Sequence, residues 1–131
     1  MTTEEPSLRV LVVDDEALIR WAVAETLTKA GHQVVQASDG GSALRALDNA
    51  TSHIDVVLLD FRLPDCADLT LLSRIRHQSP ASAVVMMSAH ATPELAAEAR
   101  ALGVYDVMAK PFDMNGCERV LRQAYVATTT H

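Results

Sequence analysis

The sequence has 131 residues, 49% apolar and only 4% aromatic, with 17 acidic against 11 basic side chains and a net charge of −6. That length suits a single domain, large enough to bury a core of Val, Leu, Ala and Ile without disulfides or a structural metal. The acidity argues against a nucleic-acid surface on this chain, and no apolar stretch approaches the roughly 18 residues that span a bilayer.

Residues 1–7, MTTEEPS, form a polar lead-in that lacks the apolar core of a secretory signal, so the expected location is the cytoplasm. Leu8–Val13 is short, apolar and β-branched, the pattern of a buried strand. Asp14 or Asp15 then caps a helix from Glu16 to Ala30, in which Leu18, Trp21, Ala22, Glu25 and Leu27 set the helical period and Gly31 ends it. Gln33–Ala37 is the second strand. Asp39-Gly40-Gly41 makes a turn into a helix over Ser42–Ala50, with Ala43, Leu44 and Leu47 inward.

The third strand, Ile54–Leu59, ends on Asp60, and the loop Phe61–Asp68 leads to a helix over Leu69–His77 that Ser79-Pro80 breaks. Ala83–Met87 is the fourth strand and ends on Ser88. Thr92-Pro93-Glu94 opens a helix with proline in its first turn, running to Leu102 and stopping at Gly103. Tyr105–Ala109 is the fifth strand, followed by Lys110-Pro111-Phe112 and a last helix over Met114–Tyr125. Residues 127–131 read as a polar, loose tail. Five apolar strands alternating with five amphipathic helices make an α/β fold, a doubly wound parallel sheet with helices on both faces, in one domain over residues 8–126. Cys66 and Cys117 show no CxxC or metal-ligand spacing and are expected as free thiols.

Ligands of open parallel sheets bind at the strands' C-terminal edge. Here that edge carries Asp14 and Asp15, Asp60, Ser88 and Lys110. A dinucleotide fold would place glycines after the first strand; Asp14-Asp15-Glu16 repels phosphate unless a cation intervenes. Taken singly, Asp15 is as well read as a helix cap, Asp14 as a loop residue and Asp60 as a turn former. Together, three carboxylates at adjacent strand ends repel one another, and a divalent ion relieves that. Hard oxygen donors with room for water suit magnesium, with manganese as the alternative. Lys110 adds a purpose, because a phosphoryl group brings about −1.5 to −2 charges that an ammonium can offset. Ser88 offers a hydroxyl to a phosphoryl oxygen. The Lys110–Pro111 bond is a candidate cis bond that would turn the lysine inward. Of the five histidines, none pair at zinc spacing, and no third group orients His90 as a base for Ser88.

Four segments, Val12-Val13-Asp14-Asp15-Glu16, Leu58-Leu59-Asp60-Phe61-Arg62-Leu63-Pro64, Met87-Ser88-Ala89 and Ala109-Lys110-Pro111-Phe112, give the chain a resemblance to the receiver (CheY-like) domain of bacterial two-component response regulators, over residues 8–126. The stretch Ile19-Arg20-Trp21 makes it most similar to receivers of the NtrC type, which are joined to an ATPase that activates transcription. The resemblance implies a sheet of order 2-1-3-4-5. It implies that Asp60 accepts a phosphoryl group from a sensor histidine kinase. Asp15 would bind magnesium directly, Asp14 through water, and Asp60 and the Arg62 backbone carbonyl would complete the protein ligands. Ser88 and Lys110 would bind phosphoryl oxygens. Such a domain assists its own phosphoryl transfer and slow autodephosphorylation without being an enzyme in the usual sense. Its partners would be the kinase, an output domain or downstream protein, and, in a phosphorylation-dependent homodimer, a second copy through helix 92–102, strand 105–109 and helix 114–125.

Three departures from the family pattern stand out. Val107 occupies the place of the usual switch aromatic, with Tyr105 two residues earlier and expected on the same side of the strand. Asp68 stands where the loop after the phosphoacceptor usually has glycine. Arg62 and His90 occupy the positions that flank the path of attacking water and tune dephosphorylation. A metal-dependent phosphatase with an aspartate nucleophile would want an acid two residues after Asp60, where Arg62 stands. The other alternative is a degenerate receiver that binds partners without being phosphorylated.

Overall fold

A computed structural model describes residues 7–65 and 69–129. The strands are β1 (Arg9–Val13), β2 (Gln33–Ala37), β3 (Val56–Asp60), β4 (Ala83–Ser88) and β5 (Asp106–Ala109). The helices are α1 (Ala17–Lys29), α2 (Gly40–Asn49), α3 (Thr70–Gln78), α4 (Pro93–Ala101) and α5 (Met114–Thr129). The strands form one parallel sheet in the order β2-β1-β3-β4-β5, as the resemblance implies. Asp60 and Ser88 are the last residues of their strands rather than the first residues beyond them.

Alternation along the strands sorts the core into two layers. Leu11, Val13, Val57, Leu59, Val84 and Met86 face one way and pack with Ala43 and Leu44 of α2, Leu71, Leu72 and Ile75 of α3, and Ala99 of α4. Val10, Val12, Val56, Leu58, Val85 and Met87 face the other way, against Val23 and Leu27 of α1 and Cys117, Leu121 and Ala124 of α5. Burial on both faces is why these strands read as unbroken apolar runs. Cys117 is a buried free thiol, and burial first, with the Glu118 charge beside it, pushes its pKa up to about 12. Cys66 and Asp68 lie outside the described residues.

Several local expectations change. In α1 the sheet-facing stripe is Val23, Ala24 and Leu27, while Leu18 is 77% and Trp21 58% exposed. The helix carries two interleaved apolar stripes, and the one at i, i+4 spacing from Val23 to Leu27 is the one that meets β1 and α5. Neither Asp14 nor Asp15 is the cap: Glu16 holds that position without a side-chain cap bond, and Asp14 Oδ1 accepts the Glu16 N–H at 2.8 Å. The last helix runs past Tyr125 to Thr129, so residues 127–129 are helical. The Thr128 and Thr129 hydroxyls donate to the carbonyls of Ala124 and Tyr125, four residues back.

Other residues fix the frame at its turns and edges. Gly103 sits at φ +100 between α4 and β5, a conformation that favours glycine. At the free margin of β5, Asp106 Oδ1 accepts the N–H of Val107 and an Arg100 N–H, both at 2.8 Å. Buried His32 joins the chain's beginning to its end. Its Nδ1 accepts the Leu8 N–H at 2.9 Å, which puts the ring proton on Nε2, 2.8 Å from Glu118 of α5. Burial opposes the charge on Glu118, but hydrogen bonds from His32 and Arg122 hold its carboxyl below the usual range.

Candidate functional site

The parallel register brings β1, β3, β4 and β5 to a common edge, so residues 14, 60, 88 and 110 meet although up to 96 positions separate them. Backbone bonds fix the crossings. Phe61 N–H donates to the Met87 carbonyl and Lys110 N–H to the Ser88 carbonyl, both at 2.9 Å, while Asp14 N–H reaches the Ala37 carbonyl at 3.1 Å. A cleft of about 270 Å³ opens there, lined by Asp15, Glu16, Asp60, Arg62, Ser88, Ala89 and Lys110.

Asp14 is fully buried, Asp60 is 6% exposed and Asp15 lies open to solvent. Carboxylate oxygens of the three lie within 4.8 Å of one another. Burial, and then the charge of Asp14, raise the pKa of Asp60 to about 6, even though Lys110 and the Arg62 N–H pull it down. Crowded acids with hard oxygen atoms are the donor set that a small divalent cation would satisfy. Asp14, Asp15 and Asp60 are the residues that would hold it.

Lys110 carries the opposing charge. Its side chain is only 10% exposed, and its Nζ donates to Asp14 Oδ2 at 3.0 Å, Glu16 Oε1 at 3.1 Å and Asp60 Oδ2 at 3.1 Å. Burial alone would favour the neutral amine. The bonds to Asp14 and Glu16 and the charges of Asp60 and Asp14 outweigh it and push the pKa above its ordinary value. The Lys110–Pro111 bond is cis. Ser88 is buried, and its Oγ accepts the His90 N–H at 3.1 Å, which leaves its hydroxyl proton for an acceptor in the cleft.

The remaining sequence candidates divide. Arg62 is exposed, lines the cleft and donates its N–H to Asp60 Oδ1 at 3.3 Å. His90 is exposed and reaches the site through its backbone N–H. Val107 packs with the core layer that holds Ala99 and Val104. Tyr105 precedes β5 and lines a hollow with Arg119, Arg122 and Val126 of α5, a different neighbourhood from that of Val107. Sequence reasoning passed over Glu16 as a partner of Lys110, although it directly follows the two aspartates. It also missed Arg20, whose Nη1 donates to the Asp14 carbonyl at 2.6 Å. Beside the cleft lies a mostly apolar hollow of about 350 Å³, walled by Ile19, Ala89, Pro111, Phe112 and Met114.

Comparison with known proteins gives a consistent result. The family described as response regulator receiver domain matches residues 10–122. The DNA-binding transcriptional regulator NtrC of Escherichia coli K12 is 35% identical over 115 residues, 88% of this chain and 24% of that protein. The sporulation initiation phosphotransferase F of Bacillus subtilis is 34% identical over 108 residues, 82% of this chain and 85% of that protein. Among solved structures, NtrX from Brucella abortus superposes with a TM-score of 0.84 at 36% identity, covering 94% of this chain and 28% of that one. CheY in a CheX–CheY–BeF3–magnesium complex from Borrelia burgdorferi gives 0.85 at 27%, covering 91% and 90%. The chain thus spans about a quarter of the NtrC proteins it matches.

Proposed function

The chain belongs to the response-regulator receiver family of two-component signalling, and on that premise we propose that Asp60 accepts a phosphoryl group from the phosphohistidine of a sensor kinase. The observation that carries the proposal is the meeting of Asp14, Asp15 and Asp60 within 4.8 Å, with Lys110 already bonded to Asp60.

An Asp60 oxygen attacks phosphorus, the P–N bond to the imidazole breaks, and the departing nitrogen keeps the electron pair. Asp14, Asp15 and Asp60, with the Arg62 carbonyl, would hold a magnesium ion, which would supply charge relief for the transferring group. Lys110 exchanges its bond to Asp60 for one to a phosphoryl oxygen, and the Ser88 hydroxyl donates a hydrogen bond to another. Both contacts strengthen as charge moves onto the phosphoryl oxygens, which is how protein groups accelerate this kind of transfer. The product is an acyl phosphate. The hollow walled by Ile19, Pro111, Phe112 and Met114 opens beside the nucleophile and offers apolar surface on which the kinase can dock.

New bonds from the phosphoryl group to Ser88 and Lys110 bias the domain toward an active form that controls an output domain or a downstream protein, of the transcriptional kind that NtrC represents. Moving such an equilibrium from 1:99 to 99:1 takes about 5.5 kcal/mol, within reach of a few charge-assisted bonds. Val107, where the family has its switch aromatic, favours one competing reading: a receiver that docks a partner without phosphorylation. Intact-mass measurement after acetyl phosphate and magnesium separates the two. Wild type is expected to gain one phosphoryl group and Asp60→Asn none. No gain on wild type overturns the proposal in favour of the degenerate receiver.

A further inference from the structure

Asp65 takes no part in the transfer described above, yet its carboxylate spans two elements. Oδ1 accepts the Gly40 N–H at 2.8 Å and Oδ2 accepts the Gly41 N–H at 3.0 Å. Those are the first two residues of α2. The helix's own cap, Asp39, takes the N–H of Ser42 at 2.7 Å and receives the Ser42 hydroxyl in return on its backbone. The first three amides of α2 are therefore all bonded, two of them by a side chain more than twenty positions further along the chain. A carboxylate at a helix N-terminus also meets the positive end of the helix dipole. Gly40 makes room for it, since a Cβ there would lie 3.2 Å from Asp65 Oδ1 and 3.1 Å from a Leu71 methyl.

The segment that Asp65 ends is the one that leaves Asp60. Phe61 is held by its N–H on the Met87 carbonyl, Arg62 by its N–H on Asp60 Oδ1, and Leu63 by burial at 6% exposure. Asp65 closes the far end of this five-residue span. We infer that Asp65 is a positioning residue for the metal: by clamping the loop to α2 it holds the Arg62 backbone where its carbonyl can complete the ligand set. This inference rests on the proposed function. Magnesium accepts only near-octahedral arrangements at about 2.0–2.1 Å, so a carbonyl free to wander by a few tenths of an ångström holds it less well. Asp65 acts on the ion through the backbone and touches no reacting atom.

Calorimetric titration of the intact chain with magnesium chloride tests the idea. Asp65→Ala is expected to raise the magnesium Kd by about tenfold, the scale seen when a ligand's supporting partner is removed. Asp65→Asn, with one acceptor oxygen in place of two, should fall between. At saturating magnesium, labelling of Asp65→Ala by acetyl phosphate should return to within about twofold of wild type, because the clamp serves binding and not the transfer itself. Amide exchange at Gly40 and Gly41 should quicken in Asp65→Ala, a readout that needs no metal. Asp39→Ala is the control: it removes the cap of α2 without touching the loop, so its melting point should drop while its magnesium Kd stays at the wild-type value. A wild-type Kd in Asp65→Ala overturns the inference. So does equal weakening in Asp39→Ala, which would assign the loss to a loosened α2. A wild-type chain that binds no magnesium fails the proposed function itself and takes this inference with it.

Discussion

Asp60 is a carboxyl whose fold works against its own ionisation. Its pKa rises from 3.8 to about 6 through burial and the charge of Asp14. The folded state therefore holds that proton more tightly than the unfolded chain does. The stabilising effect is complete below about pH 4 and is lost as pH rises toward 6, so at neutral pH the native state carries the full penalty. Asp60→Asn keeps an oxygen for Lys110 and removes the charge. It is expected to melt about 2–5 °C above wild type at pH 7.5 without magnesium, with the gap closing by pH 4. An equal or lower melting point at pH 7.5 would contradict the assignment. At Arg62 and His90 the prediction concerns lifetime. On the proposal that bulk at both positions screens the acyl phosphate from water, replacing both by alanine should shorten its half-life in magnesium. Decay after loading with a small phosphodonor measures this, and an unchanged half-life refutes it.

Among the elements, the turn from α4 to β5 leaves little room for change at Gly103. Gly103 has φ +100, and a Cβ there would meet Arg76 Nε at 2.7 Å, while Arg76 is itself engaged with the Ser82 carbonyl at 2.9 Å. Gly103→Ala should cost about 1–3 kcal/mol, read as a lower denaturant midpoint at unchanged slope. The elements also show what the sequence could convey. Strand ends were legible because an apolar run that stops on Asp60, Ser88 or Lys110 announces both the strand and its chemistry. The buried face of α1 was not, because Leu18 and Trp21 compete with Val23 and Leu27 for the same period and only the partner surface decides. The extent of α5 was hidden by Thr128 and Thr129, poor helix formers whose hydroxyls turn out to bond the helix's own carbonyls. The contacts of Asp65 with α2 and of His32 with Glu118 cross 24 to 86 positions and leave no local pattern to read.

At the scale of the whole molecule, the expected association surface is the one formed by α4, β5 and α5. It exposes Leu102, Tyr105 and Val126, flanked by charged side chains such as Glu98 and Arg119. The phosphorylation-dependent homodimer that the resemblance implies should appear in light scattering only when beryllofluoride and magnesium are present, and Val126→Glu should abolish it. Equal self-association with and without beryllofluoride would refute the dependence. The margin of the sheet decides what form such contact takes. β5 is an edge strand of only four residues. The carboxylate of Asp106 already covers the outward N–H of Val107, Arg100 holds that carboxylate in place, and Pro111 follows with no N–H to offer. A foreign strand arriving there finds no continuous row of backbone donors to extend, so the β5 edge resists strand addition. Partners at this edge must be met through side chains, which point substitutions can retune without disturbing the backbone pairing of the sheet.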